Sequence, residues 1–525
     1  MTQPEAGKPT DVPSPTAAGH AADAHLRTDK LGGDLRGRSV RGGALMLASQ
    51  GTKFTLTVIS TAILARVLTP ADFGLIAMVT AVTSFIGRLK EMGLSGATIQ
   101  RAEITHEQVS TLFWVNVGFG CVLAAVMALC APIIGWFYGR SELIPVALAL
   151  GGTFIFTGLG VQHQALLKRQ MRFSVLAVIE VLAPLAGMVA AVIAALAGLR
   201  YWALVIMQVV MALCLTLSFW VTCGWRPGWP SRHAGVRSML AFGGNLTLSD
   251  LLISATRQLD KLLLGWRWGA GPLGFYSKAY QLLLLPIQQI AWPVSHVAIP
   301  GLSRLQDDPG PYRSFYCQGL QIMAALGMPI VMFMFVAADN VVLAVLGPQW
   351  GQTVPIFRLL APAAFVGSFS MATEWLYISQ GQTGRQLRWV IVSSAAVAAG
   401  TVIGLRWGPM GVATGFSIAI FGLQLPGIMY CVRTMPVSLR DILGVLWRPT
   451  IAAIGAGVVL YGYRQAIALD KGPFVGTAVD LAVYLLAYGL VWLILPGGRR
   501  ILGEVLSLAR LLKERAEPMD VDDVA

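Results

Sequence analysis

Apolar stretches of about twenty residues follow one another from Gly42 to Leu495 with only short polar breaks. A stretch of that length crosses the hydrocarbon core as a helix. Lipid offers the backbone no hydrogen bonds, so each span must satisfy its own N–H and C=O groups internally. Only 12% of the residues are charged and 55% are hydrophobic, whereas an ordinary soluble domain is about a quarter charged. The sequence predicts an all-α integral membrane protein.

Glycine, proline and charge clusters punctuate the chain into helices near 42–66, 74–98, 109–131, 143–167, 173–197 and 201–223. Further spans fall near 238–265, 273–299, 315–337, 354–379, 387–404, 410–432, 446–464 and 473–495. That makes about fourteen transmembrane helices. Alternate loops collect the basic residues: Arg36, Arg38 and Arg41, then Arg101, then Lys168, Arg169 and Arg172, then Arg226, Arg232 and Arg237. Arg304 and Arg313, Arg385 and Arg388, Arg433 and Arg440, and Arg499 and Arg500 continue the pattern. Positive residues mark cytoplasmic loops, so both termini are expected in the cytoplasm, with the chain crossing the membrane many times. Residues 1–40 lack an apolar signal-peptide core and read as a disordered cytoplasmic tail, and 498–525 as a second cytoplasmic tail.

The net charge of +13 is spread over these loops rather than gathered into a patch, which argues for topology and against nucleic acid. Six cysteines sit in or beside apolar runs without metal-ligand or redox spacing. No catalytic group, metal site or cofactor is predicted, and no Walker-type phosphate loop occurs.

The segment 64–75, LARVLTPADFGL, aligns with 264–275, LGWRWGAGPLGF, so that Gly74 meets Gly274. Residues 198–200 likewise match 404–406, Gly-Leu-Arg in both. An offset spanning six helices implies a parallel repeat: two six-helix lobes, 41–235 and 236–432, followed by two helices in 433–497. Two lobes with a site between them can rock, which is why such repeats accompany carriers.

The residues that carry a family resemblance are ILARVLTPADFGLIAM at 63–78, GLSGATIQR at 93–101 and RQLDKLLLG at 257–265. LGFYSKAYQLLLLPIQQIAWPVSHVAIPGLSRLQDD at 273–308 and GPQW at 347–350 complete it. Together they resemble the polysaccharide-transporter (Wzx and WzxC-like) branch of the multidrug/oligosaccharidyl-lipid/polysaccharide exporter superfamily. The resemblance implies a fourteen-helix flippase that turns an undecaprenyl-diphosphate oligosaccharide between leaflets for lipopolysaccharide or exopolysaccharide biosynthesis. Its partners would be that lipid-linked cargo, membrane lipids, and polymerase and export proteins.

A charged side chain at mid-membrane costs about 2.5–3.5 kcal/mol on insertion scales, so such groups should face a cavity or one another. Arg257, Asp260 and Lys261 share one helical face at i, i+3 and i+4, leaving one cation free for a diphosphate if Asp260 orients the pair. The same spacing also suits an ion pair that holds helix seven to a neighbour. Lys53 lies in a polar stripe with Gln50 and Thr57 on the repeat-related helix one, and is expected to line the cleft opposite, or else to snorkel. Glu180 and Glu374 are candidates for taking up a coupling proton or sodium ion, with packing the commoner role for such residues. Arg88 and Lys90 suit an entry site or a solvated helix end, Lys278 an interfacial anchor, and His163 and His296 polar helix ends.

Two other functions suit a polytopic cationic chain. A polymerase or ligase would carry a large outer loop, and no outer loop here exceeds roughly twenty residues, short beside a typical lone domain. A small-cation exporter would want an acidic aromatic cavity, which the basic residues of helices one and seven disfavour.

Overall fold

In a computed structural model, residues 35–89, 98, 104–230, 256, 258–467 and 472–496 are described. The described backbone is almost wholly helical. The first six helices are α1 (Leu35–Val67), α2 (Pro70–Leu89), α3 (His106–Tyr138), α4 (Leu143–Arg169), α5 (Phe173–Leu196) and α6 (Trp202–Cys223). α7 is described over 258–268. It is followed by α8 (Ala270–Arg304), α9 (Pro309–Val336), α10 (Thr353–Ser379), α11 (Thr383–Gly404), α12 (Gly408–Val432), α13 (Leu439–Ala466) and α14 (Gly472–Ile494). Eleven stretches of the described residues are long and apolar enough to cross a membrane, one of them running through both α11 and α12.

Two details differ from expectation. α1 begins at Leu35, inside the segment read as a tail. A short helix, Ala338–Leu346, and a 3-10 turn, Pro348–Trp350, stand between α9 and α10, where the apolar run simply continues past the end of α9.

The two halves repeat one packing order. α3 packs on α4, α4 on α6 and α5 on α6, and in the second half α9 packs on α10, α10 on α12 and α11 on α12. Small residues let the backbones close up: Gly120 and Gly158 where α3 meets α4, Gly327 against Ser368 where α9 meets α10. α4 and α10 are each 27 residues long and start 210 residues apart. α13 and α14 stand on the outer side of α9: the Tyr488 hydroxyl donates to the Ala325 carbonyl at 2.9 Å, and Gly457 lies against Met332 and Val336.

The halves meet chiefly where α2 crosses α8. A Cβ on Gly74 would overlap the carbonyl oxygen of Ala270, and a Cβ on Gly274 that of Pro70. Both pairs are related by the repeat offset of 200, so the contact is reciprocal in the way a two-fold interface is: each half offers the other the same glycine and the same carbonyl. Thr69 and Asp72 fix the start of α2 as a capping box, the Asp72 carboxylate accepting from the Thr69 N–H at 2.9 Å and hydroxyl at 2.6 Å.

Candidate functional site: a paired cation in a cavity at the lobe junction

Residues of the motifs at 63–78, 273–308 and 347–350 meet at this crossing. At GPQW, Trp350 Nε1 donates to the Ala65 carbonyl at 2.8 Å and Gln349 Nε2 to that of Leu68 at 3.1 Å, covering carbonyls that the end of α1 leaves unpaired. Arg66 answers from α1, its guanidinium donating to the Ala344 and Val345 carbonyls at 2.5 and 3.0 Å, where a cation complements the C-terminus of the short helix. Phe73 packs edge-on against Trp350, ring centres 5.5 Å apart, and Phe275 does so at 5.9 Å. Lys278 is buried here, its ammonium 4.1 Å from the Phe73 ring centre and 2.9 Å from Gln281 Oε1. It is a contact between the halves rather than the expected interfacial anchor.

A separate cavity of about 440 Å³ is within the range of small-molecule sites. Gln50 and Lys53 of α1, Thr157 and Gln164 of α4, Glu180 and Pro184 of α5, Thr216 and Phe219 of α6, and Trp292 of α8 form its wall. Inside it the Lys53 ammonium donates to a Glu180 carboxylate oxygen. Two residues assigned separate tasks from sequence, a cavity cation and a coupling acid, are therefore one ion pair, with side chains 24% and 17% exposed. A pair in such a setting holds its charges at low desolvation cost while an incoming anion can still compete for the ammonium. A larger apolar groove, about 530 Å³, lies on the outward face of α5 and α6 among Leu182, Val189 and Ile193, and offers no charged group.

α7 differs from expectation. Asp260 is buried and its carboxylate accepts from the Tyr276 hydroxyl at 2.7 Å and from the Lys261 backbone N–H at 2.8 Å. The Lys261 ammonium donates to Gln258 Oε1 at 3.1 Å and stands 5.3 Å from the Tyr280 ring centre. Among the described residues Asp260 thus ties α7 to α8 through a tyrosine across the α7–α8 corner. Lys261 does not line the cavity that holds Lys53, so the two do not face each other across it. Arg257 and Lys90 lie outside the described residues. Arg88 is exposed near the end of α2, and Glu374 is half-buried on α10 away from the cavity wall.

His163 also departs from the reading as a helix end. His163 is fully buried, stacked on Trp220 at 4.5 Å and edge-on to Trp225 at 5.3 Å, with Nε2 3.2 Å from the Trp225 carbonyl oxygen. Its neighbour Gln162 is buried too, bonded to the Thr98 hydroxyl at 2.8 Å. His296 lies on α8 beside Trp292, ring centres 3.9 Å apart.

With this geometry in view, residues 63–355 match the family described as "Polysaccharide biosynthesis protein", more than half of the chain. The chain belongs to that family. It is 25% identical over 438 residues to lipopolysaccharide biosynthesis protein WzxC of Escherichia coli, covering 81% of this chain and 88% of that one. Identity is 26% over 417 residues to teichuronic acid biosynthesis protein TuaB of Bacillus subtilis, 78% and 85% of the two chains. Succinoglycan biosynthesis transport protein ExoT of Rhizobium meliloti is 25% identical over 495 residues, 91% and 96%. Among solved structures, lipid II flippase MurJ in an inward closed conformation superposes with a TM-score of 0.66 at 13% identity, over 85% of this chain and 97% of that one. An inward-facing multidrug resistance MATE family transporter of the same superfamily gives 0.52 at 14%, over 78% and 95%. These likenesses show the fold, an all-α bundle of many membrane-spanning helices.

Proposed function

We propose that this protein carries a diphosphate-linked oligosaccharide lipid from the cytoplasmic to the periplasmic leaflet of the bacterial inner membrane, supplying repeat units for polysaccharide biosynthesis. Relatives named for making or transporting lipopolysaccharide, teichuronic acid and succinoglycan support the cargo class. A fold shared with a lipid II flippase supports the mode of action.

The observation that carries the reading is the Lys53–Glu180 pair inside a cavity walled by both halves. With the arginine-rich loops taken as cytoplasmic, the Gly74/Gly274 crossing closes the periplasmic end and the cavity belongs to the cytoplasmic half. A diphosphate entering there competes with Glu180 for the Lys53 ammonium. The carboxylate it displaces is then the candidate partner for a coupling ion. The released charge and the captured cargo would bias the lobes toward opening at the other end, since a ligand shifts a conformational equilibrium only through its differential affinity.

Cells depleted of the protein test the transport role. Lipid-linked oligosaccharide should accumulate where a membrane-impermeant sugar-modifying enzyme added outside cannot reach it. Repeat units accumulating already exposed outside would instead indicate a defect in polymerisation or ligation. A Lys53→Met variant that inserts normally should lower the rate of translocation at least tenfold, and an unchanged rate would remove Lys53 from the site.

A further inference from the structure

Among the described residues Trp292 is the one from the second half in the wall of this cavity; the others come from α1, α4, α5 and α6. It is 45% exposed, although most bulky residues along the lobe contact are buried. An indole left uncovered at the rim of a polar cavity calls for an account, since the same helix buries Tyr276 and Leu283 without difficulty. The ring is also held in place. His296 lies one turn further along α8 with its ring centre 3.9 Å away, inclined by 36°, and its Nδ1 2.9 Å from the Trp292 carbonyl oxygen. Pro293 follows directly and stiffens the backbone at that point.

The wall of the same cavity carries the amides of Gln50 and Gln164, the Thr157 hydroxyl and the Glu180 carboxylate. This combination has a recognisable chemistry. A pyranose ring carries axial C–H groups on a face, which pack on the electron-rich face of an aromatic ring, and hydroxyls around its edge, which need amide and carboxylate partners. A purely lipidic tail would want neither the amides nor the acid, and a lone diphosphate would not use the indole.

We propose that Trp292 is the sugar platform of the cavity: the pyranose next to the diphosphate lies against its indole while the phosphate engages Lys53. The proposal rests on the lipid-linked oligosaccharide reading and adds to it the group that senses the sugar. It also gives the two halves different tasks in holding one cargo. The first half takes the charge and most of the hydroxyls, and the second takes the ring face. Cargo with both ends engaged then bridges the lobes, so rocking is coupled to the presence of a sugar and not to a diphosphate alone.

Equilibrium binding of two probes to the full-length protein in lipid nanodiscs tests this: farnesyl diphosphate, and farnesyl diphosphate carrying one glucose, whose equatorial hydroxyls leave a flat C–H face. The parent should prefer the glucosylated probe. Trp292→Ala should weaken that probe about tenfold and leave farnesyl diphosphate unchanged, while Trp292→Tyr should keep most of the preference. An unaltered preference in Trp292→Ala, or an equal loss for both probes, overturns the platform, the second result indicating a packing role. Failure of the parent to bind either probe would overturn the lipid-diphosphate reading itself, and the platform with it.

Discussion

The two halves follow the same path through the membrane and carry different chemistry at equivalent places. At the repeat offset of 200 residues, Ser60, Ile76 and Met78 of the first half correspond to Asp260, Tyr276 and Lys278 of the second. Ile76 and Met78 are buried and apolar, and Ser60 reaches the sulfur of Met207 at 3.9 Å. In the second half the same positions hold a buried acid, the tyrosine that donates to it and a lysine set over the Phe73 ring of the first half. The cavity ion pair, by contrast, joins two helices of the first half. What the repeat keeps is the backbone crossing, Gly74 against Ala270 and Gly274 against Pro70. A rocking mechanism needs symmetric joints, whereas a cargo with a charged end and a sugar end has no symmetry to match.

The sharpest way to break this comparison is at the crossing. Adding a methyl at either glycine places it on a carbonyl oxygen in the backbone of the opposite half, so the helices must separate. Gly74→Ala and Gly274→Ala should each lower stability by about 3 kcal/mol, the upper range for overpacking, and should admit a membrane-impermeant thiol reagent to a cysteine placed at position 73 or 275. Because the two sites form one contact, the double variant should cost clearly less than the sum of the singles. Additive losses would mean that the two positions act separately and that the crossing is no joint.

A second test contrasts the two acids. Tyr276→Phe strands the buried Asp260 carboxylate and should cost about 1–3 kcal/mol in thermal unfolding of detergent-solubilised protein, with translocation per folded molecule unchanged. Glu180→Gln should do the reverse: small in stability, since the pair is partly exposed, and large in transport. If Tyr276→Phe altered transport while Glu180→Gln did not, the assignment of one acid to structure and the other to cargo would be inverted.

Much of this fold was legible because hydropathy reports directly on lipid contact. α4 and α10, Leu143–Arg169 and Thr353–Ser379, fall within two residues of the spans expected at 143–167 and 354–379. The site was less so, because reasoning from i, i+3 and i+4 spacing sees only one helix at a time. It grouped Asp260 with its own helix, while the decisive partner, Tyr276, stands around a corner on α8. The Lys53–Glu180 pair did leave a signal. Lys53 precedes the end of α1 at Val67 by 14 residues, and Glu180 precedes the end of the parallel α5 at Leu196 by 16. At 1.5 Å per residue both charges sit about 21–24 Å from the same end, so matching depth across spans would have joined them. His163 misled because Gln162 and Gln164 flank it, and polar neighbours look alike whether they face water or, like Gln162, a buried hydroxyl.

The smallest effect expected is at the outer attachment of α13 and α14, which have no counterpart in the repeat. Arg464 of α13 reaches both carboxylate oxygens of Asp339 in the short helix, at 3.0 and 2.5 Å, and lies 3.7 Å from Asp480 of α14. Asn340 donates to Asp480 at 2.8 Å. Partial burial pushes the Asp339 carboxyl up, but the bonds from Arg464 more than offset this and hold it below the usual carboxylate value. A carboxyl lowered on folding contributes stability that is fully present above its ordinary value, about 4, and is lost as the pH falls below that. Thermal stability should therefore be level in this respect from pH 5 to 8 and decline below about 4, with Asp339→Asn flattening part of that decline. Because Asp339 is 38% exposed, the change should be small beside those at the crossing and the α7–α8 corner. Transport in Asp339→Asn should match the parent if α13 and α14 serve as an outer brace. A transport defect as large as that of Lys53→Met would place these helices in the path of the cargo, and the asymmetry of the molecule would then lie outside the repeat as well as within it.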